Sequence, residues 1–587
     1  MNLWIAKIGR NNFSKTNLLK LESITCTYKT IDSKTPFQFK ADGIHFLSFH
    51  TSSEKTQKEY TFIKNRELFG YSGLLIDKNN SAHSFCKAAD IKDLIKRPEI
   101  ALNLVDGQYA CVSSGDNYFR VFTDALGMHK VFYSQTDEAL YVSNSVPCIQ
   151  AVDKKNLNID FYIDFIAGRG TYGYQTEDAN IQALPEYGLL EWNRGKGVEV
   201  STYSNLLSLM KPDGEMNQYL QLTASQWRSA TEYLTKNHKS VLTLSGGYDS
   251  RLILDFFSKK SFDNLFTYTY ADSPMDAELA CKIAESFKVP HKMLKPSMNL
   301  DFDQILEFAI DGRKPFYCLS NVFGYQYRSQ VVDIFDGELR VLLKGDGGDT
   351  QAGLKRYNKN DKNSPENAIE TLVNSSFKYS VLSPEVKEKA KDRMHSYYSE
   401  KYLDVLESGR AYNLGSYFYF LERFGNYQSH KLINTGKLSD YYMPYANQNF
   451  LKTVFTASKR ELFKSKRNSI HHQLNHLFAN TNQKKIDYSA AVHWDANKLY
   501  RIFYRLRDRH LIKSGENSSF SEVIRNRFFE ENKYRIQEVI LTSGSAGLWH
   551  YFDKETVFDW ANNIESTNRS ERKIMFRIVP LIIAEFS

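Results

Sequence analysis

The rhythm of apolar and polar positions changes near residue 205. Before that point short runs such as "GIHFLSFHT", "YTFIKN", "SGLLIDKN" and "KVFYSQTDEALYVSN" are rich in β-branched and aromatic residues, with turn formers between them. They predict an antiparallel β-rich domain. In "YACVSSGDNYFRVFTD" two such arms flank Gly115-Asp116-Asn117, a hairpin signal. From about 215, helical periodicity alternates with the apolar strands "SVLTLS", "NLFTYTY" and "RVLLKG". In "MDAELACKIAESFKV" the residues Ala277, Ala280, Cys281, Ala284 and Phe287 follow the i, i+3, i+4, i+7 spacing of an amphipathic helix. Strands alternating with helices predict a parallel sheet covered on both faces. From about 365 onward the pattern is mostly helical. The Pro and Gly of "LMKPDGEM" mark the break, so the expected domains are 1–208 and 209–587.

Length agrees with this division, because 587 residues exceed what one core organises. Charge narrows the function. The net +8 comes from 76 basic and 68 acidic residues and forms no run of five or six like charges, so no groove for a nucleic-acid backbone is expected. None of the six cysteines forms a C-x-x-C pair, which argues against a zinc ribbon and against a disulfide framework. "MNLWIAKIGRNNF" lacks a long apolar stretch, and no apolar run approaches the roughly 18 residues of a membrane span. "IVPLIIAEF" reads as core. The expected compartment is the reducing cytoplasm, with no membrane partner.

Two stretches carry chemistry. "VLTLSGGYDSRLIL" is strand, tight turn and helix start. Gly246 and Gly247 let the backbone approach an anion, and the following helix aims its first amides at the same place. Leu244 ends the strand, while Ser245 and Ser250 add hydroxyls. Asp249 would repel phosphate unless a divalent cation stood between them, so the loop reads as a pyrophosphate cradle with Mg²⁺. It is neither a Walker loop nor a dinucleotide fingerprint, since both G-K-[ST] and G-x-G-x-x-G are absent from it. A hundred residues on, "RVLLKGDGGDTQAG" repeats the logic with Gly345, Asp346, Gly347, Gly348 and Asp349. Loops that end parallel strands meet at one edge of the sheet, so Asp249 and Asp349 are expected to share one Mg²⁺. Arg251 is an extra cation at a helix start and is expected either to contact phosphate or to lie on the surface.

With these stretches the chain resembles the asparagine synthetase superfamily, and more closely its amide-forming relatives without glutaminase activity, such as lasso-peptide macrolactam synthetases and β-lactam synthetase. "LSGGYDS" is similar to that family's ATP-pyrophosphatase loop (the PP-loop) and "KGDGGD" to its second loop. "YYMPYANQNFL" resembles its R-x-P-F-L-D segment, and "TNQKKIDYS" a stretch with a catalytic lysine. In the first half "LVDGQYACVSS", "FTDALGMHKVFYS" and "IQALPEYGLLEW" resemble further segments. The resemblance implies an α/β and α+β fold of two domains. The first is a class II amidotransferase-like (Ntn-hydrolase-type) sandwich of antiparallel sheets. The second is an ATP-pyrophosphatase (adenine nucleotide α-hydrolase-like) parallel α/β domain with added helices. It also implies ATP and Mg²⁺ as cofactors, with Tyr270 ending the strand beside adenine.

Departures from the pattern sharpen the expectation. Glutamine-hydrolysing members begin Met-Cys-Gly; here Asn2 takes the nucleophile's place and "FGYSGLL" replaces the glutamine site, so glutaminase activity is expected to be absent. The expected reaction joins a carboxylate to an amine through an acyl-adenylate. Asp346 is the candidate base, with Glu422 of "FLERFGNY" as a second candidate, and Lys485 or its neighbour Lys484 stabilises charge. One version is intramolecular, a lasso-type macrolactam made on a precursor peptide with a processing protease as partner. An alternative amidates an acidic sugar, amino acid or other metabolite with ammonia or an external amine. A third is an inactive partner subunit. Enzymes that modify tRNA with a similar loop would lack the first half.

Overall fold

The computed structural model describes residues 2–25, 36–50, 60–77, 97–167, 172–210, 215–257, 259–270, 274–294, 341–348, 365–377, 381–408, 413–429, 439–457, 527–543, 547–563 and 569–586, with single or paired positions between them. All that follows concerns these residues. Of the expected site residues, Asp349, Lys484 and Lys485 lie outside them.

The β-rich first half forms two six-stranded antiparallel sheets. One runs in the order 182–183, 132–135, 139–143, 2–9, 44–50, 37–41, and the other in the order 197–202, 188–193, 118–123, 109–115, 67–73, 61–64. Alternation of side chains sends Trp4, Ala6, Ile8, Phe46 and Val142 from the first sheet against Leu68, Val112, Phe119, Val121 and Leu190 from the second. The opposite faces are covered too. Leu3, Ile5, Leu47 and Phe49 pack under the helices Lys15–Thr25 and Val146–Val152. Phe69, Tyr71, Cys111 and Phe122 pack with Ala101 of the helix Pro98–Leu104. Strands buried on both faces lose the polar alternation of a half-exposed sheet, which is why Ile44–His50 and Tyr109–Gly115 are buried throughout. The hairpin read from the sequence is present: Gly115 pairs with Tyr118 around the two-residue turn Asp116-Asn117.

The second domain has a five-stranded parallel sheet. Its strands are β1 (Ser240–Thr243), β2 (Leu265–Tyr270), β3 (His291–Leu294), β4 (Val341–Leu343) and β5 (Tyr441–Tyr442). Their order is β3-β2-β1-β4-β5, and every neighbouring pair is parallel. The chain steps outward from β1 to β3, then returns to the other side of β1 for β4. The carboxyl ends of β1 and β4 therefore flank a topological switch point, where open α/β sheets bind ligands. Helix α1 (Tyr248–Phe256) follows β1, and α2 (Pro274–Phe287) follows β2. In α2 the residues Ala277, Ala280, Ala284 and Phe287 are buried, as the spacing predicts. Cys281 is only half-buried, and Ile283 takes its place in the core.

Helices dominate from 365 onward, and "IVPLIIAEF" falls in the last helix, Arg569–Phe586, with Ile578, Val579, Leu581 and Ile582 buried. One apolar core runs across both domains, joining Leu126, Tyr162 and Tyr187 to Phe420, Phe424 and Tyr445. Ionic groups cross the same boundary. Lys130 donates to Asn426 at 3.1 Å, Lys401 pairs with Glu186 at 2.9 Å, and Arg393 pairs with Asp164 at 2.9 Å. Among the described residues no helix is long and apolar enough to cross a membrane.

Several histidines are buried in the neutral form. The Nδ1 of His45 accepts the Phe13 N–H at 3.2 Å. Burial lowers the pKa of His45 and of His129 from 6.5 to about 4, and that of His50 to about 3. In the window from 6.5 down to about 4 the unfolded chain binds protons that the folded chain refuses. Stability is thus fully present above the unfolded value and falls with pH across that window. The melting temperature should drop between pH 6.5 and 4, and His50→Phe should flatten part of that slope; an unchanged slope in the variant would show that His50 takes no part.

Candidate active site

β1 ends at Thr243 and is followed by Leu244, which is fully buried. Its N–H donates to the Tyr268 carbonyl at 2.8 Å, and its own carbonyl accepts from the Thr269 hydroxyl at 2.6 Å. The strand end is thus fixed to β2, and the chain turns sharply into α1 at Ser245. That turn is tied internally. The Ser245 N–H donates to the Ser250 hydroxyl at 3.0 Å, the two hydroxyls lie 3.1 Å apart, and the Gly247 N–H donates to the Ser245 hydroxyl at 3.1 Å. Gly247 caps α1 without a side chain, so no side chain competes for the first-turn amides.

Arg251 corrects the expectation of a phosphate contact or a surface position. It is buried, at 1% exposure, and lies behind the loop. Its Nε donates to the Gly247 carbonyl at 3.1 Å and its Nη2 to the Gly246 carbonyl at 2.9 Å. A trans peptide points its N–H opposite to its C=O. Drawing the Gly247 carbonyl toward the guanidinium therefore turns the Tyr248 N–H away from it. The arginine acts as a brace that presents the amide side of the loop and places a fixed positive charge beneath it. The sequence signal for this is its i+4 position relative to Gly247 on one helical turn.

The second loop leaves β4 through Lys344, whose N–H donates to the Tyr442 carbonyl of β5 at 3.1 Å. The two glycine turns are in direct contact. A Cβ on Gly345 would lie 2.8 Å from the Ser250 nitrogen and 3.1 Å from the Asp249 carbonyl carbon. A Cβ on Gly348 would run into the Asp249 carboxylate. Gly347 has φ of +101°, and its absent Cβ would meet Phe424 at 2.7 Å and Tyr445 at 2.8 Å. These glycines are required by close approach as much as by backbone angle. Asp346 sits at the mouth of the loop, paired with the more buried Lys344 at 3.0 Å.

Tyr445 is not marked by its chemistry in the sequence, yet it touches both loops. Its hydroxyl donates to the Asp249 carbonyl at 3.0 Å, and its Cβ packs on Gly347. The ring is held edge-on by Trp227 at 4.9 Å and Phe450 at 5.0 Å. Its only signal is its place in "YYMPYANQNFL".

Tyr270, the last residue of β2, is half-buried; its hydroxyl lies 3.1 Å from that of Tyr268, which accepts from Thr243 on β1 at 2.8 Å. Glu422 stands apart. It lies on the wide π-helical segment Tyr419–Gln428, two residues before Phe424, which faces Gly347. Glu422 itself accepts from Tyr397 at 2.9 Å, Asn426 at 2.9 Å and the Gly173 N–H at 3.3 Å. These partners put it in the core between the domains, where burial raises its pKa. Among the described residues its hydrogen bonds reach neither loop.

Among the described residues no cluster of three His, Cys, Asp or Glu side chains gathers. A cation here would rely on Asp249 together with oxygens of a bound phosphate, a donor set suited to Mg²⁺. The Asp249 carboxylate is packed directly against Gly348 where the two loops meet.

No protein-family model matches the chain, and no curated protein matches it. Solved structures match in part. Glutamine phosphoribosylpyrophosphate amidotransferase from B. subtilis, complexed with ADP and GMP, shares 10% identity over 60% of this chain and 77% of that one, with a TM-score of 0.23. An allosteric regulatory enzyme of purine biosynthesis shares 11% over 61% and 77%, at 0.25. NH3-dependent NAD synthetase from Campylobacter jejuni shares 13% over 32% and 97%, at 0.19. Scores of this size describe loose overlaps.

The contact between the loops makes a direct prediction. Gly345→Ala should cost about 1–3 kcal/mol in denaturant unfolding through overpacking. Gly547→Ala, where a Cβ would meet nothing within 4 Å, should cost far less. Equal costs at the two positions would contradict the close approach.

Proposed function

We propose that this chain is an ATP-dependent carbon–nitrogen ligase of asparagine-synthetase type that releases AMP and pyrophosphate. The observation that carries this reading is the meeting of two glycine loops at the switch point, with the Asp249 carboxylate packed against Gly348. A fold needs no such juxtaposition to close a parallel sheet, whereas a triphosphate gripped from two sides does.

A substrate carboxylate oxygen attacks the α-phosphorus of ATP, and the bond from that phosphorus to the β-phosphate oxygen breaks. Pyrophosphate leaves into the cradle of Ser245, Gly246, Gly247 and Ser250. The first-turn amides of α1, and Arg251 beneath them, favour the negative charge gathering there. Mg²⁺ held by Asp249, and by Asp349 as the sequence suggests, would neutralise part of the same charge. An amine then attacks the acyl carbon, the bond to the AMP oxygen breaks, and the amine proton passes to a base. Asp346 is the base this reading favours, because it is the carboxylate at the mouth of the second loop and remains 41% exposed to an incoming amine. Lys344 beside it holds the carboxylate in place.

The proposed amine source rests on the sequence: Asn2 stands where glutamine-hydrolysing members of the resembled family carry their cysteine, and an amide is no nucleophile, so glutamine is not the proposed donor. An amine carried on the acid substrate itself needs no ammonia supply, which supports lactam formation on a peptide. The division into an amidotransferase-like sandwich lacking the catalytic cysteine, 1–208, and an adenylating domain, 209–587, belongs to the same proposal.

Incubation with ATP, Mg²⁺ and candidate amino-acid or peptide acids should release AMP and pyrophosphate in equal amounts, and glutamine should not raise the rate. Asp249→Ala should lower the rate by about a thousandfold while the melting curve stays cooperative. Release of ADP and phosphate, or full activity in the variant, would overturn the reading.

A further inference from the structure

The segment that carries Tyr445 is held from outside its own domain. β5 is the edge strand of the parallel sheet, and an unpaired edge is mobile and sticky unless something covers it. Here the sandwich domain covers it almost residue by residue. The Asp440 carboxylate accepts from the Tyr60 hydroxyl at 3.1 Å, and the Tyr441 hydroxyl donates to the Met128 carbonyl at 3.2 Å. The Tyr442 hydroxyl donates to Asp106 at 2.6 Å. Gln108 pairs with Met443 as a neighbouring strand would: its Oε1 accepts the Met443 N–H at 2.8 Å, and its Nε2 donates to the Met443 carbonyl at 3.2 Å. Asn447 donates to Asp106 at 2.6 Å, on the far side of Pro444 and Tyr445.

Asp106 therefore clasps both ends of a six-residue stretch, Tyr442 to Asn447, with Tyr445 inside it. The clasp is rigid by composition. Asp106 and Asn447 are 5% and 3% exposed, Gln108 1%, and Tyr442, Met443 and Tyr445 fully buried. Pro444 fixes its own φ, and its carbonyl accepts from Trp227 at 3.2 Å. The Gly107 N–H donates to the Asp106 carboxylate at 2.7 Å and holds that side chain in one orientation. Tyr445, so fixed, is the residue whose hydroxyl holds Asp249 and whose backbone end packs on Gly347.

We infer that Asp106 and Gln108 of the sandwich domain are positioning residues for the two glycine loops, acting through Tyr442, Met443 and Asn447 on Tyr445. The sandwich domain thereby sets the spacing of the loops from outside them. The inference rests on the proposed function only where nucleotide is concerned; the mechanical claim stands without it.

Hydrogen exchange of the nucleotide-free chain tests the mechanical claim. Asp106→Asn removes an acceptor, and Tyr442→Phe removes only the hydroxyl that uses it. Both should speed exchange at 244–250 and 345–348 by about tenfold, with the sandwich strand Ile44–His50 unchanged. Because both changes break the same contact, their effects combined should fall well short of additive. Under the proposed chemistry the same variants should raise the KM for ATP about tenfold and leave kcat within about threefold. Unchanged loop exchange, or an increase spread evenly over the molecule, would overturn the inference. If Asp106→Asn fails to fold, Tyr442→Phe and Asn447→Ala decide the matter, each lacking one half of the clasp. A wild-type chain that releases no pyrophosphate would sink the ligase reading while leaving the exchange result to decide this one.

Discussion

One aromatic side chain sets the geometry on which the rest depends. Tyr445 bonds the carbonyl of Asp249 and packs on Gly347, so the two loops cannot separate without exposing it. The hydroxyl bond alone is worth about 1 kcal/mol. The larger contribution comes from the ring, which is fully buried between Trp227 and Phe450 and would leave a cavity if it moved. The loops are therefore positioned by a packed core and not by their own short backbones. Glycines at 345, 347 and 348 are the complement of that packing, since each absent Cβ is filled by an atom of the other loop or of the Tyr445 wall.

This arrangement separates support from chemistry. Arg251 braces the first loop from behind, and β5 supports the second, both with fully buried groups. Asp346, the proposed base, is left nearer solvent than its partner Lys344. The sandwich domain adds a second layer of support, through hydrogen bonds that link Tyr60, Met128, Asp106 and Gln108 with five residues around β5. The charged network farther off, with Lys130, Lys401, Glu186 and Glu422, fixes how the domains meet. Removing one partner from such a buried set strands the others without solvation, a cost of about 3–5 kcal/mol. Glu422 fits that structural role by its partners.

Much of this is legible in the sequence because it is local. The hairpin at Asp116-Asn117, the helix after Pro274 and the turn at Ser245–Ser250 are each set by spacing and turn chemistry within a few residues. The parallel sheet follows from strands alternating with helices, and the contact of the two loops from the rule that such strands end on one edge. What the sequence conceals is long-range. Asp106 and Tyr442 are 336 residues apart, and neither letter marks the other. Arg251 misleads because a charge at a helix start reads as a solvent or ligand group, whereas here two backbone carbonyls solvate it. Ile283 displaces Cys281 from the core for a smaller reason: the buried stripe of α2 is rotated slightly from the ideal spacing.

The most direct measurement is a crystal structure of the chain with Mg²⁺ and a non-hydrolysable ATP analogue. The β- and γ-phosphates should lie on the amides of the Ser245–Ser250 turn, with the metal on Asp249 and the second loop on the opposite side. An analogue bound elsewhere, or phosphates pointing away from that turn, would contradict it.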